Sequence, residues 1–151
     1  MSSTGSAKPA AVFFEGMQPI LRVRDMAASL DYYVTRLGFT INWKYPYFAS
    51  VSRGKCSLFL SHGDQGNFGT WVWIGVEDAG ALLEEYRRTG AKIRHLPTNY
   101  SWAYEMQVED LDGNVLRLGS DSKNGEPIGE WLDMNGRRWL PTPEGDWKPA
   151  E

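Results

Sequence analysis

Thr70-Trp71-Val72-Trp73-Ile74-Gly75-Val76-Glu77-Asp78 decides how this chain folds, because it reads as a second copy of Gln18-Pro19-Ile20-Leu21-Arg22-Val23-Arg24-Asp25. In each copy a short apolar alternation runs into Val-x-Asp, and a helix-like segment then closes on glycine, Gly38 after the first and Gly90 after the second. Strand period gives way to helix period at each Asp. The chain therefore divides into two similar halves. Alternation puts Trp71, Trp73 and Gly75 on one face of the second-copy strand, with Val72, Ile74 and Val76 on the other. The aliphatic face is the one to pack on the following helix. The two indoles then face the opposite way, as a second core layer or as the wall of a ligand cavity.

Working outward, the first half continues from Asp25, which is placed to cap a helix whose Met26, Leu30, Tyr33 and Leu37 form one apolar stripe. Gly38 supplies a left-handed stop. Strands are predicted over residues 17–23, 39–45, 48–53 and 56–61, the last two joined by a Gly54-Lys55 turn. Residues 62–69, with glycine at 63, 66 and 69, read as a connection between halves. In the second half Asp78 is placed to cap a helix through Thr89, with Ala79, Leu82, Leu83 and Tyr86 on one face. Strands are predicted over 92–96, 104–109 and 115–119, and Gly113 in Asp110-Leu111-Asp112-Gly113-Asn114 suits a hairpin with a bulge.

The ends do not fit the repeat. Residues 1–14 are expected to be a disordered leader. Residues 120–151 form a Trp-rich tail in which Asn135-Gly136 signals a type I′ hairpin pairing 131–134 with 137–140. Trp131, Trp139 and Trp147 are expected to lay this tail over an apolar surface, of its own chain or of a partner subunit.

Bulk properties narrow the function. A chain of 151 residues can bury ~68–70% of its unfolded surface in one core. A single cysteine, Cys56, suits a reducing compartment, so a cytoplasmic location is expected. The apolar run at 10–14 is too short for a signal-peptide core or a membrane span. A net charge of −3 with both signs interspersed offers no stripe for a phosphate backbone, so no nucleic-acid partner is expected. Seven tryptophans in a chain that is 13% aromatic point to recognition surfaces as well as core.

A tandem βαβββ arrangement carrying Val23-Arg24-Asp25, Tyr32-Tyr33-Val34-Thr35-Arg36-Leu37-Gly38-Phe39 and Asp110-Leu111-Asp112-Gly113-Asn114 resembles the vicinal oxygen chelate superfamily. That superfamily includes glyoxalase I, extradiol dioxygenases, fosfomycin-modifying enzymes and bleomycin resistance proteins. The resemblance covers residues 15–119 and implies an α+β fold of paired incomplete barrels, modules 15–62 and 70–119, around a cavity. Its enzymes hold a divalent metal with His and Glu on the first and last strands of each module. Here the corresponding positions are Gln18, Phe59, Trp71 and Arg117. Two aromatics and a guanidinium offer no lone pairs to a metal, so neither metal nor other cofactor is expected. His62 and His95 read as solvated or structural.

Three stretches resemble bleomycin resistance proteins in particular: Phe48-Ala49-Ser50-Val51, Leu58-Phe59-Leu60-Ser61 with Trp71-Val72-Trp73, and Ser101-Trp102-Ala103-Tyr104-Glu105. Carried over, Phe48 and Trp102 are the pair that stacks on a planar ligand, with an exposed loop aromatic or a dimer contact as the plain alternative for each. Trp71, Trp73 and Phe59 line the cavity. Arg117 needs a carboxylate or a ligand anion to offset its burial, and Glu105 is the carboxylate in reach of that strand. Arg22 and Lys44 add positive charge nearby, where the relatives' groove is acidic. Glu105 has no acid–base partner, and Asp112 is accounted for by its turn. The expected ligand-binding set is Phe48, Trp102, Trp71, Trp73, Phe59, Arg117, Gln18 and Glu105, with no catalytic residue. The reading is sequestration of a planar aromatic antibiotic or related small molecule by a homodimer. The alternative is an enzyme of the same superfamily (glyoxalase, dioxygenase or thiol transferase) using a metal or an altered site.

Overall fold

A computed structural model describes residues 10–150. Among these described residues eleven strands and two helices follow one another as β1 (Ile20–Arg22), α1 (Met26–Thr35), β2 (Thr40–Lys44), β3 (Phe48–Arg53), β4 (Cys56–Ser61), β5 (Trp71–Gly75), α2 (Ala79–Thr89), β6 (Lys92–Asn99), β7 (Tyr104–Glu109), β8 (Val115–Ser120), β9 (Trp131–Leu132), β10 (Arg138–Pro141) and β11 (Trp147–Pro149). The repeat is explicit in the strand orders, β1-β4-β3-β2 and β5-β8-β7-β6. In both sheets the first strand runs parallel to the fourth and the remaining pairs are antiparallel. Neither four-stranded sheet closes on itself. The fold is the expected α+β arrangement of paired open sheets.

Local chemistry sets the helices. Asp25 Oδ1 accepts from Ala28 N and Asp78 Oδ1 from Ala81 N, both at 3.0 Å, so each Asp of the repeated Val-x-Asp is an N-cap. Gly90 closes α2 at φ +81°, a conformation that costs glycine little. The end of α1 differs from expectation: Arg36 is the cap in ordinary helical geometry, and Gly38 makes its left-handed turn two residues later.

The apolar faces of both sheets and both helices share one core. Leu21, Ala49, Val51, Leu58 and Leu60 come from the first sheet, Met106, Val108, Leu116 and Leu118 from the second. Val72, Ile74 and Val76 pack against it as their alternation required. Each fully buried leucine contributes ~1.5–3 kcal/mol. The helices also bind the opposite half. Tyr33 Oη donates to Asp110 Oδ2 at 2.9 Å and Tyr86 Oη to Leu37 O at 2.8 Å, while Arg53 donates to both oxygens of Glu85. With its helix-side face committed to a shared core, each sheet turns its other face outward.

Two strand predictions need correction. β1 is shorter than 17–23, since Pro19 has no N–H to continue the ladder, although its carbonyl still accepts from Phe59 N. β6 runs on through Pro97 to Asn99 rather than stopping at 96. It is an outer strand, and its register breaks between His95 and Thr98, so the missing donor is tolerated.

The tail forms a separate three-stranded sheet, β11-β10-β9. The turn at Asn135-Gly136 is not type I′, because no residue other than glycine has positive φ among the described residues. Asp133 organises a longer loop instead, its Oδ1 accepting from Asn135 N and Arg137 N. Residues 1–9 of the expected leader lie outside the described residues; residues 10–19 form no helix or strand. No helix among the described residues is long and apolar enough to cross a membrane.

Candidate functional site

The outward face of the second sheet is built from alternate residues of three strands: Trp71 and Trp73 on β5, Glu105 and Gln107 on β7, and Arg117 on β8. Register places Trp73 beside Arg117 and Gln107 across from Arg117. Glu105 is the hub, 1% exposed. Arg117 donates to it through Nε at 2.8 Å and through a terminal nitrogen at 3.1 Å. The indole N–H groups of Trp73 and Trp102 donate to its Oε1. A buried carboxylate is therefore satisfied by a guanidinium and two indoles, and this polar network fixes the orientation of three candidate ligand-binding side chains.

Trp102 lies just before β7. One of its faces is taken by Tyr100, whose ring is parallel to it with centroids 4.7 Å apart. Trp102 stays 47% exposed and Trp73 52%, so both keep surface that a ligand can use. Arg94 lies over Trp71 at 5.2 Å and also donates to Gln107.

The outward face of the first sheet is simpler. Phe48 and Phe59 meet with ring centroids 5.1 Å apart, and Trp43 stacks on Phe48 at 5.9 Å. Asn42, Ser50 and Ser52 form a short polar chain beside them, Asn42 Nδ2 donating to Ser50 Oγ and Ser52 Oγ to Asn42 Oδ1. Gln18 is exposed, ahead of β1.

Seven of the eight expected residues thus fall into two groups: Trp71, Trp73, Trp102, Glu105 and Arg117 together, and Phe48 with Phe59. Gln18 stands apart at the start of β1. Among the described residues no ring contact, hydrogen bond or ion pair joins one group to the other. Phe48 belongs to the outward face of the first sheet and Trp102 stands beside that of the second, while the other faces of the two sheets share one core. Lys44 is exposed, and Arg22 faces Phe68 of the connection at 4.9 Å. No local sequence pattern marks Trp43, Tyr100, Arg94 or Gln107 as site residues. Trp43 was hidden by a register shift between Ile41 and Trp43, which breaks the alternation that would have assigned its face.

A divalent metal does not fit the four corresponding positions. Phe59 and Trp71 have no donor atom for it, Arg117 is a cation already paired with Glu105, and Gln18 offers one neutral amide. No three of His, Cys, Asp and Glu converge elsewhere among the described residues. His62 stacks on Tyr47, and His95 Nε2 lies 3.2 Å from Glu130.

A cavity of about 610 Å³ opens elsewhere, on the helix side, among Phe39, Arg53, Cys56, Ile74, Leu82 and Tyr86. Its size suits a small molecule; Arg53 is committed to Glu85 and Tyr86 Oη to Leu37 O, while Lys55 and Glu77 also line it. Burial raises the Tyr86 hydroxyl to about 12, so it stays a neutral donor.

Comparison with known proteins agrees with this geometry. A family model described as Glyoxalase/Bleomycin resistance protein/Dioxygenase superfamily matches residues 16–118. No curated protein matches the sequence. Among solved structures, the bleomycin-binding protein from bleomycin-producing Streptomyces verticillus, complexed with copper(II)-bleomycin, is similar at 29% identity and a TM-score of 0.64, covering 74% of this chain and 100% of that one. TnmS3, an antibiotic-binding protein from Streptomyces sp. CB03234, shares the fold at 21% identity and a TM-score of 0.65, with the same coverages of 74% and 100%. A glyoxalase/bleomycin resistance protein/dioxygenase from Nocardioides does so at 20% identity and a TM-score of 0.59, covering 78% of this chain and 91% of that one.

Proposed function

We propose, from the premise that this chain belongs to the Glyoxalase/Bleomycin resistance protein/Dioxygenase superfamily, that it binds and sequesters a planar, partly aromatic small molecule without metal or turnover. One observation carries the reading. Where the superfamily's enzymes place metal ligands, this chain has Gln18 ahead of β1 and Phe59, Trp71 and Arg117 on the outward sheet faces, beside which Trp43, Trp73 and Trp102 stay between 40% and 52% exposed. Flat rings held open beside fixed polar groups favour a flat ligand. The structural relatives that bind bleomycin or another antibiotic support the ligand class.

A homodimer completes the site in this reading. The Phe48 face and the Trp102 face are the outward sides of two sheets whose inner sides share one core, so in this reading the sandwich joins the first sheet of one copy to the second sheet of another. Val12, Phe13, Phe14 and Met17, each 84–90% exposed, supply further apolar surface for a second copy to cover. The expected cytoplasmic location belongs to the same proposal.

A thermal-shift screen of bleomycins, quinones and other planar antibiotics tests the function. Any compound present at a hundred times its Kd adds ~2.7 kcal/mol to the folded state, a rise of roughly 5–10 °C for a chain of this size. A screen in which nothing stabilises the protein counts against the reading. So does stoichiometric metal in protein purified without chelator that is lost on changing Gln18. For a compound that binds, Phe48→Ala is expected to weaken calorimetric affinity about tenfold. Its melting temperature should move little, since Phe48 is itself partly exposed and the rings it meets, Trp43 and Phe59, are not buried either.

A further inference from the structure

The superfamily match ends at residue 118, yet the chain continues for thirty-three residues. Within the chain, the described part of this tail, residues 119–150, lies against the second half. Trp131 sits on the outward face of the second sheet. Its ring is 6.2 Å from that of Trp71 and meets Tyr100 and Trp102 edge to face at 5.7 and 6.1 Å. The Arg117 guanidinium lies over it at 5.0 Å. Three aromatic rings and a cation around one indole are the contacts that would hold a planar aromatic guest.

The attachment changes character along the tail. At its root, buried Asn99 donates to the carbonyls of Lys123 and Glu126 and accepts from Ser122 Oγ and Lys123 N, while Gly129 N donates to Asn99 O. A Cβ on Gly129 would collide with Thr98 Cγ2, so chain and sheet are in close contact there. Beyond Gly129 the tail is held by side chains of the second half. Tyr100 Oη donates to Glu130 O, Gln107 Nε2 to Leu132 O at 3.0 Å, Arg94 to Asp133 O, and His95 pairs with Glu130. Among the described residues β9 pairs only with β10, in the tail's own three-stranded sheet. Trp131 can therefore leave without breaking a backbone ladder, while the root stays fixed.

We propose that Trp131 is an intramolecular ligand: it occupies a socket for a bicyclic planar ring formed by Trp71, Tyr100, Trp102 and Arg117, and an incoming aromatic ligand binds by displacing it. This deepens the function proposed above and rests on the same sheet face, but it can be tested without knowing the natural ligand. The probe is free indole, titrated calorimetrically into the full-length protein and its Trp131→Ala variant. Vacating the socket is expected to raise indole affinity at least tenfold over the wild type. Should Trp131→Ala fail to fold, Gln107→Ala, which keeps the indole and cuts one tether, is expected to raise indole affinity severalfold, and Arg117→Ala added to either variant to remove the gain. Equal affinity for indole in wild type and variants, or no binding in any, overturns the proposal. If indole binds the vacated socket while no antibiotic stabilises the wild type, the socket stands and the antibiotic reading fails. The opposite pattern leaves that reading standing and removes the displacement.

Discussion

Glu105→Ala is expected to cost about 3 kcal/mol of folding stability, read as a fall of roughly 6–12 °C in melting temperature, and to abolish ligand binding. The carboxylate is 1% exposed and receives Arg117 through two nitrogens as well as the indole N–H groups of Trp73 and Trp102. Removing it strands a guanidinium in a partly desolvated site. A fully buried pair broken this way costs ~3–5 kcal/mol, but the Arg117 side chain is 27% exposed and recovers part of that from water. The exposed edge of Trp73 recovers more. Binding suffers more than stability because the same atoms hold the two indoles and the guanidinium in place. Glu105→Gln keeps one acceptor oxygen and should lie between. A Glu105→Ala protein that melts like the wild type and binds normally would show that the network orients nothing.

Asp110→Ala should be as damaging, by about 3–4 kcal/mol in chemical unfolding, with no direct effect on a ligand. This carboxylate is 3% exposed and receives four donors: Asp112 N at 2.8 Å, Asn114 N at 3.0 Å, Asn114 Nδ2 at 2.9 Å and Tyr33 Oη at 2.9 Å. It shapes the turn between β7 and β8 and ties α1 of the first half to it. Alanine takes the acceptor from Tyr33 Oη, Asn114 N and Asp112 N in a buried or part-buried place, while Asn114 Nδ2 keeps Arg22 O.

Burial raises the Asp110 carboxyl above its ordinary 3.8, with the donors from Asn114, Asp112 and Tyr33 opposing the shift. The folded state then holds the proton more tightly than the unfolded state, so this group's contribution to stability grows as pH falls from the raised value toward 3.8. Asp110→Asn lacks that gain. The stability gap between wild type and Asp110→Asn should therefore widen on acidification through that window, measured by denaturant unfolding at several pH values. A gap that narrows would mean the carboxyl is held below its ordinary value instead.

Much of the fold was legible because its determinants are local. The Val-x-Asp repeats announced two strands and two N-caps, and β3, β4, β7 and α2 lie at their predicted bounds. Asp110-Leu111-Asp112-Gly113-Asn114 gave a hairpin with a glycine in positive φ. From sequence, turn chemistry alone accounts for Asp112. In the structure Asp110 shapes that turn, while Asp112 Oδ1 accepts from Arg24 N and Nη1.

The same chemistry recurs where it was misread. Asp133 accepts from Asn135 N and Arg137 N just as Asp110 accepts from Asp112 N and Asn114 N. Asp with Gly three residues on was the available signal, and the Asn-Gly dipeptide obscured it. Of the site, the Trp71–Trp73 face and the Arg117–Glu105 pairing followed from alternation and charge. The separation of Phe48 from Trp102 did not, because it depends on which faces the shared core consumes. Nor did the seat of Trp131, which follows from contacts with Tyr100, Trp102 and Arg117 that no local periodicity encodes.

A ligand site shared between copies is tested most directly by mixing two defective proteins. Phe48→Ala with Phe59→Ala removes the first-sheet face, and Trp102→Ala removes the second-sheet face. Each variant alone is expected to bind the most stabilising compound of the screen poorly. After unfolding and refolding an equimolar mixture, random pairing restores one intact site in each mixed dimer, about a quarter of all sites. Calorimetric titration of the mixture should therefore show wild-type affinity at about a quarter of the wild-type stoichiometry. A mixture that binds no better than its components, although mixed dimers have formed, contradicts a site built from two copies.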